Sequence, residues 1–198
     1  MSWRSLEWTL LVCILAGGLV TGIAAADTTI TLEQGWNLVS IPRTLDSGHS
    51  TAGIVFQGVN TGGHSTWEYN AQAQSWVKVY PATMLRPLDG IFIYSTAHTS
   101  VPITFTADPV AVPPVKPVYQ GWNLIGFSGT TPASAHDTFI SLNNLWSQAM
   151  GFDAVSQGYE TQIISGGGGI FADSRTLYPD KGYWLYVTGP GTLAGIGS

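Results

Sequence analysis

The sequence predicts a mainly β protein made of two tandem, similar β-sheet units, arches or sandwich-like, with at most one or two short helices, after a signal peptide. Three observations carry this. One passage is written twice: Gln34-Gly35-Trp36-Asn37-Leu38-Val39 recurs as Gln120-Gly121-Trp122-Asn123-Leu124-Ile125, and Leu85-x-Pro87-x-x-Gly90-x-Phe92-Ile93-Tyr94 recurs as Leu177-x-Pro179-x-x-Gly182-x-Trp184-Leu185-Tyr186. The repeated residues are turn formers and aromatics, the composition of short strands and tight connections. Charged residues make up only 10% of the chain, against about 25% in an ordinary soluble domain.

Residues 1–26 have the layout of a secretory signal peptide: Arg4 near the start, an apolar run over 9–25, and the small-residue tail Ala24-Ala25-Ala26 ahead of Asp27. The mature chain is then expected to have no membrane span. The single cysteine, Cys13, falls in the apolar run, so the exported chain is expected to hold no disulfide and to be stabilised by burial and backbone pairing. Removing 26 residues from 198 leaves 172. These are divided into repeat unit 1 (27–112) and repeat unit 2 (113–198), joined through the proline-rich stretch 108–117, which reads as an extended, semi-rigid connector.

Each unit begins with strand signals. Ile30-Thr31-Leu32 alternates, and after the Gln34-Gly35 turn the run 36–41 is apolar on both faces, as is 122–127 in the second copy, which suggests an interior strand. Asn37 and Asn123 interrupt those runs at the same place, and each is expected to tie down the adjacent turn through its side-chain amide. In mid-unit, Tyr69-Asn70-Ala71-x-x-Gln74-x-Trp76 matches Phe152-Asp153-Ala154-x-x-Gln157-x-Tyr159 and reads as a β-hairpin whose two rings meet across the ladder. The returning strands are expected over 76–80 and 159–163. Pro87 or Pro179 presets a turn, Gly90 or Gly182 supplies a free φ, and a closing aromatic strand follows. Phe139, Leu142 and Trp146 at helical spacing behind Thr131-Pro132 predict a helix, with a shorter one over 51–56. Gly166 to Gly169 predicts a loop. The openings repeat after 86 residues, the hairpins after 83 and the closings after 92, so loops vary while strands persist.

Reactive residue types do not repeat with this framework. His49, His64, His98 and His136 lack metal-ligand spacing, although Gly48-His49-Ser50-Thr51 echoes as Gly63-His64-Ser65-Thr66. No G-x-S-x-G elbow is present, and Glu33, Glu68, Asp89, Asp153, Glu160 and Asp180 stand in no recognisable catalytic context. No catalytic, cofactor-binding or metal residue is assigned, and the chain is not expected to be an enzyme. The net charge of −5 argues against electrostatic binding of nucleic acid. Of the six tryptophans beyond residue 26, Trp36, Trp122 and Trp184, with Phe92, are read as core. Trp67 is the candidate for an exposed platform.

The signal peptide, the tandem Gly-Trp-Asn-Leu openings and the Pro-x-x-Gly-x-aromatic closings resemble the repeat domains of archaeal and bacterial cell-surface proteins. Length, low charge and the cysteine-free mature chain make the sequence more particularly similar to the extracellular sheath proteins of filament-forming methanogens. The resemblance implies an extracellular, self-assembling structural protein of a cell sheath or surface layer, its subunits joining β-sheets into amyloid-like assemblies. Its partners would be copies of itself and other cell-envelope components. Low charge agrees with that expectation, since edge strands are usually guarded by lysine and only Lys78, Lys116 and Lys181 are available. The alternative is a secreted carbohydrate-binding β module using exposed aromatics.

Overall fold

The computed structural model describes residues 26–107 and 112–196. The signal-peptide reading, residues 1–25, and the first part of the proline-rich stretch, residues 108–111, lie outside the described residues. The strands of the first half are β1 (Thr28–Leu32), β2 (Gly35–Ser40), β3 (Thr66–Asn70), β4 (Ser75–Val79), β5 (Gly90–Ser95) and β6 (Thr99–Ile103). Those of the second are β7 (Val115–Val118), β8 (Gly121–Gly126), β9 (Ala133–Ser134), β10 (Trp146–Met150), β11 (Phe152–Asp153), β12 (Gly158–Tyr159), β13 (Ile163–Ile164), β14 (Thr176–Leu177), β15 (Gly182–Val187) and β16 (Gly191–Ala194). Two four-residue α-helices, α1 (Ala52–Val55) and α2 (Ala135–Thr138), complete a mainly β fold. No helix among the described residues is long and apolar enough to cross a membrane.

The halves are built alike. A four-stranded antiparallel sheet in each has the order β2-β5-β3-β4 or β8-β15-β10-β13, and a two-stranded sheet, β1-β6 or β7-β16, sits beside it. Alternation explains the strand faces: Ile30 and Leu32 of β1 are fully buried while Thr29 and Thr31 face solvent. Each half has its own apolar core, one around Ile30, Ile41, Ile91 and Ile93, the other around Phe127, Phe139, Leu185 and Val187. Each such side chain stabilises the fold by about 1.5–3 kcal/mol through burial.

Asn37 and Asn123 fulfil the turn-tying role. Asn123 Oδ1 accepts from the Tyr119 amide at 2.9 Å and its Nδ2 donates to the Tyr119 and Gly121 carbonyls at 2.8 and 3.0 Å; Asn37 repeats the pattern on Glu33 and Gly35. Both side chains are buried. Tyr69 faces Trp76 across the first hairpin and Phe152 faces Tyr159 across the second, each pair with ring centroids 5.5 Å apart.

Several expectations are corrected. β2 and β8 are edge strands of their sheets, not interior ones. Their second apolar face is covered by the opposite half, so the double-sided apolar pattern is real but its cause is the other copy. The helix behind Thr131-Pro132 is instead β9, α2 capped by Ser134, and a 3-10 stretch broken at Asn143 (φ 47°), with Trp146 opening β10. Phe139, Leu142 and Trp146 still share one core. The second hairpin is cut to two residues a side, and the chain then turns away to pair Ile163–Ile164 with β10. The end of the proline-rich connector is itself strand β7, which includes Pro117. Gly90 and Gly182 are not the left-handed positions; Leu88 (φ 68°) and Asp180 (φ 61°) are.

What Gly90 and Gly182 supply is close approach. A Cβ on Gly90 would lie 2.7 Å from the Ile125 carbonyl oxygen, and one on Gly182 2.7 Å from Leu38 Cδ1 and 3.0 Å from the Val39 carbonyl oxygen. The two contacts are reciprocal, because Val39 and Ile125 occupy the same repeat position. Short bridges Val39–Lys181 and Asp89–Ile125 run between the halves in the same symmetrical way. The halves are therefore related by an approximate two-fold axis.

Candidate functional site

The seam on that axis brings together the repeated aromatics. Leu38, Phe92, Leu124 and Trp184 form a third buried cluster, flanked by Trp36, Trp67 and Tyr69 from one half and Trp122, Met150 and Phe152 from the other. Tyr69 stacks edge-on against Trp184 at 5.0 Å and Phe92 against Phe152 at 5.5 Å, the same contact made in both directions. Edge-to-face geometry of this kind adds about 0.5–1.5 kcal/mol per pair beyond burial.

Each hairpin tip clasps the opening turn of the opposite half. Gln157 Oε1 accepts from the Trp36 amide at 2.8 Å and its Nε2 donates to the Trp36 carbonyl at 2.9 Å, so one side-chain amide occupies both backbone groups that a neighbouring strand would use. Gly35, at φ 109°, leaves room for that amide; a Cβ there would fall 2.5 Å from Gln157 Cδ. Gln74 approaches the Trp122 carbonyl more loosely, at 3.5 Å. Both glutamines sit at positive φ, 50° and 54°. Further along, the Ser40 amide donates to the Asp180 carbonyl and the Gly126 amide to the Leu88 carbonyl, both at 2.8 Å. The outward backbone groups of β2 and β8 are thus largely satisfied within the chain.

The axis is imperfect, and a groove results. Trp76 reaches both Phe92 and Trp184, at 5.7 Å each, whereas its counterpart Tyr159 is smaller and contacts Phe152. The space left, about 470 Å³, is lined by Trp36, Trp67, Trp76, Phe152, Gln157 and Tyr159. The most exposed tryptophan there is Trp76, at 48%; Trp67, the expected platform, is only half-exposed in the groove wall, and Trp36 and Trp122 are half-buried instead of core. No protein-family model, curated protein or solved structure matches this chain.

The carboxylates considered from the sequence mostly have local partners. Glu33 meets His98 at 3.0 Å, Asp153 accepts from Ser156 Oγ at 2.7 Å in its hairpin turn, and Glu160 lies 3.4 Å from Lys181. The Ser156 hydroxyl, helped by turn amides, holds Asp153 below the usual carboxylate range. The structure does bring Glu68 and Asp89 to one pocket, with Arg86 and Lys116. Burial and then the Asp89 charge raise the Glu68 pKa against the opposing pull of Lys116 and Arg86, and Glu68 Oε1 is buried without a hydrogen-bond partner. Lys116 pairs directly with Asp89. His49 and His136 sit in surface pairs with Asp46 and Asp137, and His64 packs on Tyr94 at 4.2 Å; the described residues contain no cluster of three metal-ligating groups.

Burial at Asp180 disfavours its charged form. Burial raises its pKa to about 6 from 3.8, with Lys181 opposing. Because the folded value is the higher one, this group's contribution is most favourable below about pH 4 and is lost as pH rises through 6. Asp180→Asn keeps the left-handed backbone that asparagine tolerates and removes the buried charge. Its melting temperature is expected to exceed the parent's near neutral pH by about 2–4 °C, the equivalent of roughly 1 kcal/mol after allowance for partial exposure. The difference should vanish in acid, as read by thermal unfolding across pH.

Proposed function

We propose that this protein is a structural subunit of an extracellular cell sheath or surface layer, self-assembling by edge-to-edge β-strand pairing. The observation that carries the reading is the contrast between strand edges. The inner edges, β2 and β8, are occupied by Gln157, Gln74 and the turns at Leu88 and Asp180. The outer edge of the first sheet, β4, has a strand partner on one side only, β3, and presents Trp76 and Val77 to solvent at 48% and 44% exposure. An open, apolar edge of five residues guarded by Lys78 alone favours addition of another strand. Low overall charge supports the same reading, because little repulsion opposes association. The surface-layer context, secretion included, comes from the sequence resemblance.

A second reading, a secreted carbohydrate-binding module, is favoured by the aromatic groove, whose Trp and Tyr faces suit a sugar ring. The groove's one amide, Gln157, is engaged by the Trp36 backbone, so hydroxyl groups would be read only by indole N–H and phenol O–H groups of its aromatics, and this reading ranks second to the open β4 edge. Light scattering of the exported chain separates the two. The structural reading expects high-mass species at physiological salt and their loss in Val77→Lys, which adds a charge to the open edge; a binding module stays monomeric in both. A parent chain monomeric at high concentration overturns the assembly reading.

A further inference from the structure

We propose that β4 pairs antiparallel with β4 of a second copy about a two-fold axis through Val77, so that the assembling unit is a symmetric dimer. This rests on the self-assembly reading and assigns it a strand and a register.

Competing edges in the two four-stranded sheets are poor partners. β13 offers two residues, and β2 and β8 are occupied from within the chain. In the two-stranded sheets, β6 carries Pro102 and β7 carries Pro117, each withholding a backbone donor, while β1 and β16 have no proline but bury their large apolar side chains and turn only threonines fully to solvent. β4 has five residues, no proline, and two large apolar side chains, Trp76 and Val77, left exposed.

Geometry then selects the register. A five-residue strand overlaps fully with its own antiparallel copy only when the central residue faces itself, and the centre of Ser75–Val79 is Val77. Val77 meets the second copy's Val77, an apolar pair that covers two exposed side chains. Trp76 and Lys78 lie on the opposite face of the strand. In this register each Lys78 stands opposite Trp76 of the other copy, which permits a cation–π contact, and the two lysines are set on a diagonal. Centring on Lys78 instead would place like charges face to face and shorten the overlap. That same face carries Trp67 and Tyr69, opposite Lys78 and Trp76 on β3, so pairing continues one aromatic surface through both copies and extends a four-stranded sheet to eight. The contact is isologous and closes as a dimer, so it defines the assembling unit and not the contact by which units propagate.

Cysteine placement tests the register. In a Cys13→Ser background the introduced thiol is the only one in the chain. Facing Val77→Cys residues would have Cα atoms about 4.5–5.5 Å apart, within disulfide reach. Val77→Cys is expected to give disulfide-linked dimers under mild oxidation at least about tenfold faster than Val155→Cys, an exposed site on the other hairpin turn. Lys78→Cys, whose copy lies on the diagonal, is expected to cross-link slowly. Hydrogen exchange of the unsubstituted chain is expected to show β4 amide protection that rises with protein concentration. If large assemblies form while Val77→Cys links no faster than Val155→Cys and β4 amides stay unprotected, the β4 pairing is wrong and the structural reading survives. If the chain remains monomeric throughout, both fall.

Discussion

Gly90→Ala is expected to break the seam between the halves. The added methyl would meet the Ile125 carbonyl oxygen at 2.7 Å and Leu124 Cγ at 2.9 Å. The carbonyl belongs to a strand paired along its length to β15, so it cannot move without disturbing the second sheet. Overpacking of this kind costs about 1–3 kcal/mol, and displacement also removes the Asp89–Ile125 bridge and loosens the Leu38, Phe92, Leu124 and Trp184 cluster. A total near 3 kcal/mol lowers the melting temperature by roughly 10 °C. Scanning calorimetry should show one transition in the parent and two in the variant, because each half keeps its own core. Gly182→Ala is expected to be milder, since its nearest neighbour is a terminal methyl of the Leu38 side chain and the Val39 carbonyl oxygen is 3.0 Å away. An unaltered single transition in Gly90→Ala would show that the backbones can separate freely there.

Asn123→Asp is expected to cost more. Aspartate is nearly the same shape but, when ionised, only accepts hydrogen bonds. The Tyr119 and Gly121 carbonyls would lose their donor and face a buried negative charge. Leaving such groups unsatisfied costs about 1–3 kcal/mol each, so a loss on the order of 4 kcal/mol in denaturant unfolding is expected near neutral pH. Acid should restore part of it, because a protonated carboxyl can donate one bond. Stability that did not depend on pH in this variant would mean the amide donors contribute little.

Sequence and structure agree where the chemistry is local. The asparagine ties, the ring pairs across both hairpins and the strand openings were legible because each depends on residues a few positions apart. The edge position of β2 was not, since its double-sided apolar pattern has the same appearance whether the cover is its own sheet or the opposite repeat. The repeated glycine at position 90 suggests a φ requirement, whereas its cause is the Ile125 carbonyl, 35 positions away. The broken helix was hidden for a related reason: Phe139, Leu142 and Trp146 reach one core from three different backbone conformations, and helical spacing alone cannot distinguish that. Gln74 and Gln157 were visible as repeated letters in the hairpin motif, and a polar residue kept at both turns was the available signal for the clasp. The aromatic groove was out of reach, because it arises from unequal partners, Trp76 against Tyr159, at positions that the repeat makes equivalent.

The reciprocal clasp also bears on descent. Each hairpin grips the opening turn of the opposite half, the arrangement that two identical halves paired about a two-fold axis would also make. Fusion of two such halves turns an encounter between molecules into one within a chain, where effective concentrations reach the millimolar range for short linkers. Once the partner is guaranteed, the two copies no longer need to remain alike. Glu68 and Trp67 on β3 correspond in the repeat to Gly151 and Met150, and Gln74 grips more loosely than Gln157. Covalent linkage lets each side of the seam differ while the pairing is kept.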